Sequence, residues 1–168
     1  MGLRFVTRLA LVAAAALVPA TGRAAPATAT ASAVTLRPLS VVKVRDLDFG
    51  RIVAGTTAGT ASIDPNTDGQ SATGGTVAAG GTPQAAQFFT YGGPLQFVQV
   101  YRGALPTLTN GTGGSMNVTA LTLNNNVTGW YLNAAGVLDL RVGGTLAVGA
   151  NQAEGVYTGT FQIIVNYY

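Results

Sequence analysis

Few side chains in this chain have the type and spacing to carry chemistry. Asp46 and Asp48 fall on one face of an extended run, as a carboxylate pair for glycoside hydrolysis would. Beside Lys43 and Arg45, the same pair also reads as ordinary surface charge. The run Asp64-Pro-Asn-Thr-Asp-Gly69 matches the opening of a calcium loop, with Gly69 in the tight-turn place. The bidentate Glu that closes such loops would fall at residue 75, which is a glycine, and a Pro-Asn turn accounts for the same residues. Lys43, the only lysine, has no Walker-type loop around it. With neither His nor Cys, the chain lacks the usual general base, the soft metal ligands and the thiol nucleophile. The expectation is a protein that is not an enzyme and holds no cofactor.

The first 24 residues read as a secretory signal peptide. Arg4 and Arg8 form a basic start, an apolar run follows from Leu9 to Val18, and Pro19 breaks it. Gly22 and Ala24 fit the small-x-small cleavage rule, with cleavage after Gly22 as the alternative. The apolar run is well short of the roughly 20 residues a membrane-spanning helix needs. The expected destination is the periplasm, then the cell surface or the medium, with no transmembrane segment left after cleavage. Removing Arg4, Arg8 and Arg23 leaves six basic and six acidic residues, so the precursor's charge of +3 falls to zero. No phosphate-neutralising patch remains, and nucleic acid is not an expected partner. A neutral surface offers little colloidal protection, which suits self-association.

The elements that must position these residues are strands. The chain is rich in Gly, Thr, Ala, Val and Asn and nearly free of Glu and Lys. Short alternating apolar runs are separated by the glycine pairs 74–75, 80–81, 92–93, 113–114 and 143–144, a pattern of all-β sandwiches and barrels. The first firm strand is expected over 39–44, with Val42 and Val44 inward; Leu47 and Phe49 look like core, with a bend at Gly50. Strands are also expected at 60–63, 76–78, 85–91 and 95–101. A parity change between Val118 and Leu121 predicts a bulge near Ala120. Trp130 reads as core, and Leu138, Leu140 and Val142 as one inward face.

The strongest pattern lies at the C-terminus. Tyr157, Phe161, Ile163, Val165 and Tyr167 alternate with mostly polar residues, predicting one half-buried strand over 155–168. Burying each large side chain of that face is worth roughly 1.5–3 kcal/mol. An edge this apolar needs a partner, from its own sheet, a chaperone or a neighbouring subunit. At the other end, Ala27, Ala29, Ala31 and Ala33 alternate with Thr28, Thr30 and Ser32 before Val34 and Leu36. This stretch, within 25–38, reads either as a flexible lead-in or as a small-residue strand available to another domain.

Two resemblances follow from these residues. Leu47-Asp-Phe-Gly50, Val142-Gly-Gly-Thr-Leu-Ala-Val-Gly-Ala-Asn-Gln152 and Gly155-x-Tyr-Thr-Gly-Thr-Phe161 through Val165-Asn-Tyr167 resemble a family of exported proteobacterial β domains of unknown function. That likeness spans 39–168 and implies fold and export. The C-terminal run is also similar to that of pilus subunits of the chaperone–usher pathway, with a penultimate aromatic, Tyr167, and a glycine fourteen places from the end, Gly155. The second likeness implies an incomplete immunoglobulin-like sandwich that a periplasmic chaperone completes first and the next subunit's N-terminal strand completes later, at an outer-membrane usher. Gly155, Tyr157, Phe161, Ile163, Val165 and Tyr167 would then form the interaction strand. Ala27, Ala29, Ala31, Ala33, Val34 and Leu36 would form the donor strand. The donor departs from the pattern, because its alternating positions are mostly alanine.

The fold expectation is therefore an all-β, immunoglobulin-like sandwich over 39–168, incomplete if the pilin likeness holds. The functional expectation is a structural surface subunit that polymerises by strand complementation. The alternative is a self-complete binding module for a glycan or a protein, whose mark would be exposed aromatics among Phe88, Phe89, Tyr91 and Tyr101.

Overall fold

A computed structural model describes residues 26–125 and 127–168, so the signal-peptide reading lies outside the described residues. The described residues up to Val34 (26–34) and those from Thr35 onward belong to separate units. The side chains of 26–34 are exposed and belong to no strand. From Thr35 on, the described residues carry ten strands and no helix: β1 (Ser40–Arg45), β2 (Ile52–Ile63), β3 (Gln70–Ala78), β4 (Ala86–Tyr91), β5 (Phe97–Arg102), β6 (Thr107–Thr109), β7 (Ser115–Leu123), β8 (Gly129–Tyr131), β9 (Val137–Val148) and β10 (Ile163–Tyr167).

All pairings are antiparallel. The larger sheet runs β1-β4-β9-β2-β3, with β7 also on β9 and β6 on β7; the smaller runs β10-β5-β8. The two make a β-sandwich. Its spine is β9, whose Leu138, Leu140, Val142, Leu146 and Val148 are all buried, as the alternation predicts. They pack in one cluster with Val98 and Val100 of β5 and Met116, Val118 and Leu121 of β7. The expected bulge is present, as a register shift between Val118 and Ala120.

Three local expectations change. The glycine pairs 74–75 and 143–144 lie inside β3 and β9 rather than between strands. A side chain at Gly143 would run into the Ile63 carbonyl and the Pro65 ring, so glycine marks a close backbone crossing there. Val42 and Val44 are exposed, because β1 pairs only with β4 at the edge of its sheet. The C-terminal alternation is right in burial but not in pairing: regular ladder covers only Ile163–Tyr167. The partner chain bends away after β5, leaving single contacts from Gly103 N–H to the Gln162 carbonyl (2.8 Å) and between Thr109 and Thr158.

Candidate functional site

The C-terminal segment forms one wall of a groove. Thr158 exchanges both backbone hydrogen bonds with Thr109 of β6 (2.9 and 3.0 Å), which fixes that side of the segment. In an extended chain, neighbouring residues aim their N–H and C=O groups to opposite edges. Those of Tyr157, Gly159 and Phe161 therefore face away from β6, and they make no hydrogen bond among the described residues. β10 likewise has β5 as its only strand partner. A free strand edge thus runs along the sandwich.

Facing it across the groove is the chain from Asp46 to Val53. Its backbone is already engaged on the far side. Asp48 exchanges bonds with Gln84 (2.9 and 3.0 Å), and Arg51 bonds Gly80 and Ala79 (both 2.8 Å). Gly50, at φ +70°, turns the chain between them, and the Asp48 carboxylate accepts its N–H at 2.7 Å. The space between the walls is about 890 Å3, partly open to solvent. Behind it lies the core: Ala86, Met116, Val118 and Leu146 border the space but stay buried, and the half-buried Phe88 and Leu108 are more open to it. Phe161 packs edge-on against Phe88 at 6.2 Å. The Thr109–Thr158 bridge ties the C-terminal segment to β6 on one side, and the groove lies on its other side.

The predicted interaction-strand residues divide in two. Gly155, Tyr157 and Phe161 line the groove. The Tyr157 hydroxyl donates to the Ala153 carbonyl at 2.7 Å and accepts from Gln152 Nε2 at 2.8 Å, holding the turn that leads into the segment. Ile163, Val165 and Tyr167 lie beyond the groove and pack on the core, Val165 being buried. Tyr167 is a clamp: its hydroxyl donates to the Arg37 carbonyl (2.6 Å) and accepts from Gly93 N–H (2.7 Å). Of the predicted donor residues, Val34 is 85% exposed and Leu36 45%, and Ala27, Ala29, Ala31 and Ala33 are exposed as well. The bordering residues Phe88, Met116, Val118 and Leu146 come from three strands far apart in sequence. Alternation marks them as inward, but no local signal says that a groove runs beside them.

The acidic residues have structural partners. Asp46 pairs with Lys43 at 2.6 Å, and Asp48 caps its turn. The Asp64 carboxylate accepts the N–H groups of Asn66 and Thr67 (2.7 and 3.1 Å), which hold it below the usual aspartate range. Asp68 lies between the guanidiniums of Arg141 (2.5 Å) and Arg45 (3.2 Å) and accepts Ala85 N–H at 2.7 Å. Burial pushes its carboxyl up, but the Ala85 hydrogen bond and the two arginines outweigh that and leave it lowered. Two cations beside Asp68 make this turn a poor place for a third, so the calcium-loop likeness ends at the sequence.

Phe88 lies against Phe161 at the groove, while Tyr91 and Tyr101 are exposed. On the smaller sheet, the Phe97 ring meets Tyr131 at 5.0 Å and Tyr168 at 5.7 Å, with both tyrosines well exposed.

The model of the family described as Domain of unknown function (DUF4402) matches residues 39–167, and the chain belongs to that family. No curated protein and no solved structure matches it.

Proposed function

We propose that this DUF4402 domain is an exported structural subunit that polymerises by β-strand complementation. Its groove would take a strand from the 25–36 region of a neighbouring copy. The observation that carries this reading is the groove: a partly open space bordered by the half-buried Phe88, Leu108 and Phe161, beside a strand edge unpaired among the described residues. A docked strand would gain backbone hydrogen bonds worth about 0.5–1.5 kcal/mol each and would cover what remains exposed of the half-buried Phe88, Leu108 and Phe161. The sequence before the domain supplies a candidate strand of alternating character, without charge, exposed and outside any sheet. During export the same groove is an aggregation hazard, because its edge would template pairing with other chains. A periplasmic chaperone that lends a strand, and an outer-membrane usher that replaces it, would answer that hazard.

The test is a denaturing gel of the protein from its native cell surface, loaded with and without boiling. Strand-exchanged subunits resist detergent until heated, because the inserted strand is kinetically trapped. A ladder that collapses to monomer on boiling, and that is lost when 25–36 is deleted while the protein stays soluble, supports the proposal. Monomer under both conditions overturns it.

A second reading, a binding module for a glycan or protein partner, draws on the exposed ring cluster of Phe97, Tyr131 and Tyr168. On that reading Tyr131→Ala abolishes retention on the ligand, and deleting 25–36 changes nothing.

A further inference from the structure

The geometry points to Tyr167 as the positioning residue that fixes where the N-terminal strand leaves the domain; this rests on the strand-complementation reading above. The pilin likeness would make this penultimate aromatic a surface that a chaperone reads. Its hydroxyl is instead occupied within the domain. It donates to the Arg37 carbonyl at 2.6 Å and accepts the Gly93 N–H at 2.7 Å, so it ties the chain just after Leu36 to the loop that follows β4. The fit around it is close, since a side chain at Gly92 would collide with Tyr167, Leu132 and Leu39. Residues 35–38 have no ladder of their own. Apart from the covalent link into β1, the Tyr167 hydroxyl is the one side-chain hydrogen bond that holds this exit among the described residues.

The position matters because the groove is elsewhere. One of its walls is residues 155–161, whereas Tyr167 lies in β10, six residues further along the same C-terminal segment, about 20 Å at the rise of an extended chain. The point of exit is thereby held at one end of the strand and the receiving edge at the other. Copies joined through such a pair of sites associate head to tail, through a heterologous contact that stays open and propagates. Freeing the exit leaves the groove intact but loosens the donor, which must then be ordered at each joining step.

Tyr167→Phe removes the hydroxyl and keeps the ring in the core. Two readouts on the full chain separate its roles: the yield of heat-sensitive ladder, and uptake of a fluorescent peptide of sequence 26–36 measured by anisotropy. The expected result is a ladder yield about five- to tenfold lower, as for one or two lost hydrogen bonds, with peptide uptake unchanged. Tyr168→Phe, at an exposed neighbouring ring, should leave both readouts unchanged. An equal fall in both readouts for Tyr167→Phe would mean that the hydroxyl serves only the fold, and an unchanged ladder would mean that the exit needs no anchor; either overturns the inference. If the wild-type chain neither forms a ladder nor takes up peptide, strand complementation fails first and the role of Tyr167 falls with it.

Discussion

Asp68 shows how much of this domain's polar structure rests on single residues. It has a positive φ of 60°, accepts a backbone N–H, and lies between two guanidiniums that reach it from β1 and β9. Its carboxyl titrates lower in the folded chain than in the unfolded one, where about 3.9 is usual. The stabilisation is therefore complete above that value and is lost as pH falls through the folded value. Thermal melts should show the midpoint holding through neutral pH and dropping below about pH 4. Asp68→Asn should cost about 1–3 kcal/mol at pH 7 and flatten that part of the acid dependence. Thr90 presents the opposite case. It is wholly buried, and its hydroxyl has no hydrogen-bond partner among the described residues. Thr90→Val keeps the branched shape and strand preference, so denaturant titration should find it more stable by about 1 kcal/mol.

At the scale of elements, β9 and the C-terminal segment contrast. β9 is paired along its whole length, by β4 over 137–142, by β2 over 144–148 and by β7 over 142–146, and another backbone lies close to it at Gly143. Gly143→Val should cost about 3 kcal/mol or more, or prevent folding, as read by circular dichroism and expression in soluble form. The C-terminal segment keeps the same alternation of side chains with only one edge paired. Phe161→Ala removes a half-buried ring from Phe88 and should lower stability by about 2 kcal/mol. Under strand complementation the same change also weakens uptake of the 26–36 peptide, because the ring lines the groove. Alternation was legible for both elements, since side chains along a strand must choose between core and water. Pairing was not, since it depends on which backbone arrives alongside. Hence 155–168 reads as one strand in sequence and is laddered only over Ile163–Tyr167.

For the whole molecule, the question is which chain fills the groove, and the lack of cysteine makes it testable by cross-linking. One cysteine placed at Thr158 or Thr160 on the exposed face of the receiving segment, and another scanned through 28–32, should yield under mild oxidation a ladder that reductant collapses. Cross-linked monomer alone would show instead that each chain closes its own groove.

Composition, the two-residue alternation and the glycine-rich turns determined that this is an all-β chain. They also determined the inward face of β9, Leu138, Leu140 and Val142, and where β7 bulges, because burial and backbone geometry act over a few neighbouring residues. Only the tertiary structure decided that Gly143 and Gly144 continue a strand, that Tyr167 is a clamp rather than a surface, and that a partly open groove lies between 46–53 and 155–161. Each of those depends on contacts between segments distant in the chain. A residue's own pattern shows that it turns from water; whether anything covers it depends on the strand that lies, or does not lie, beside it.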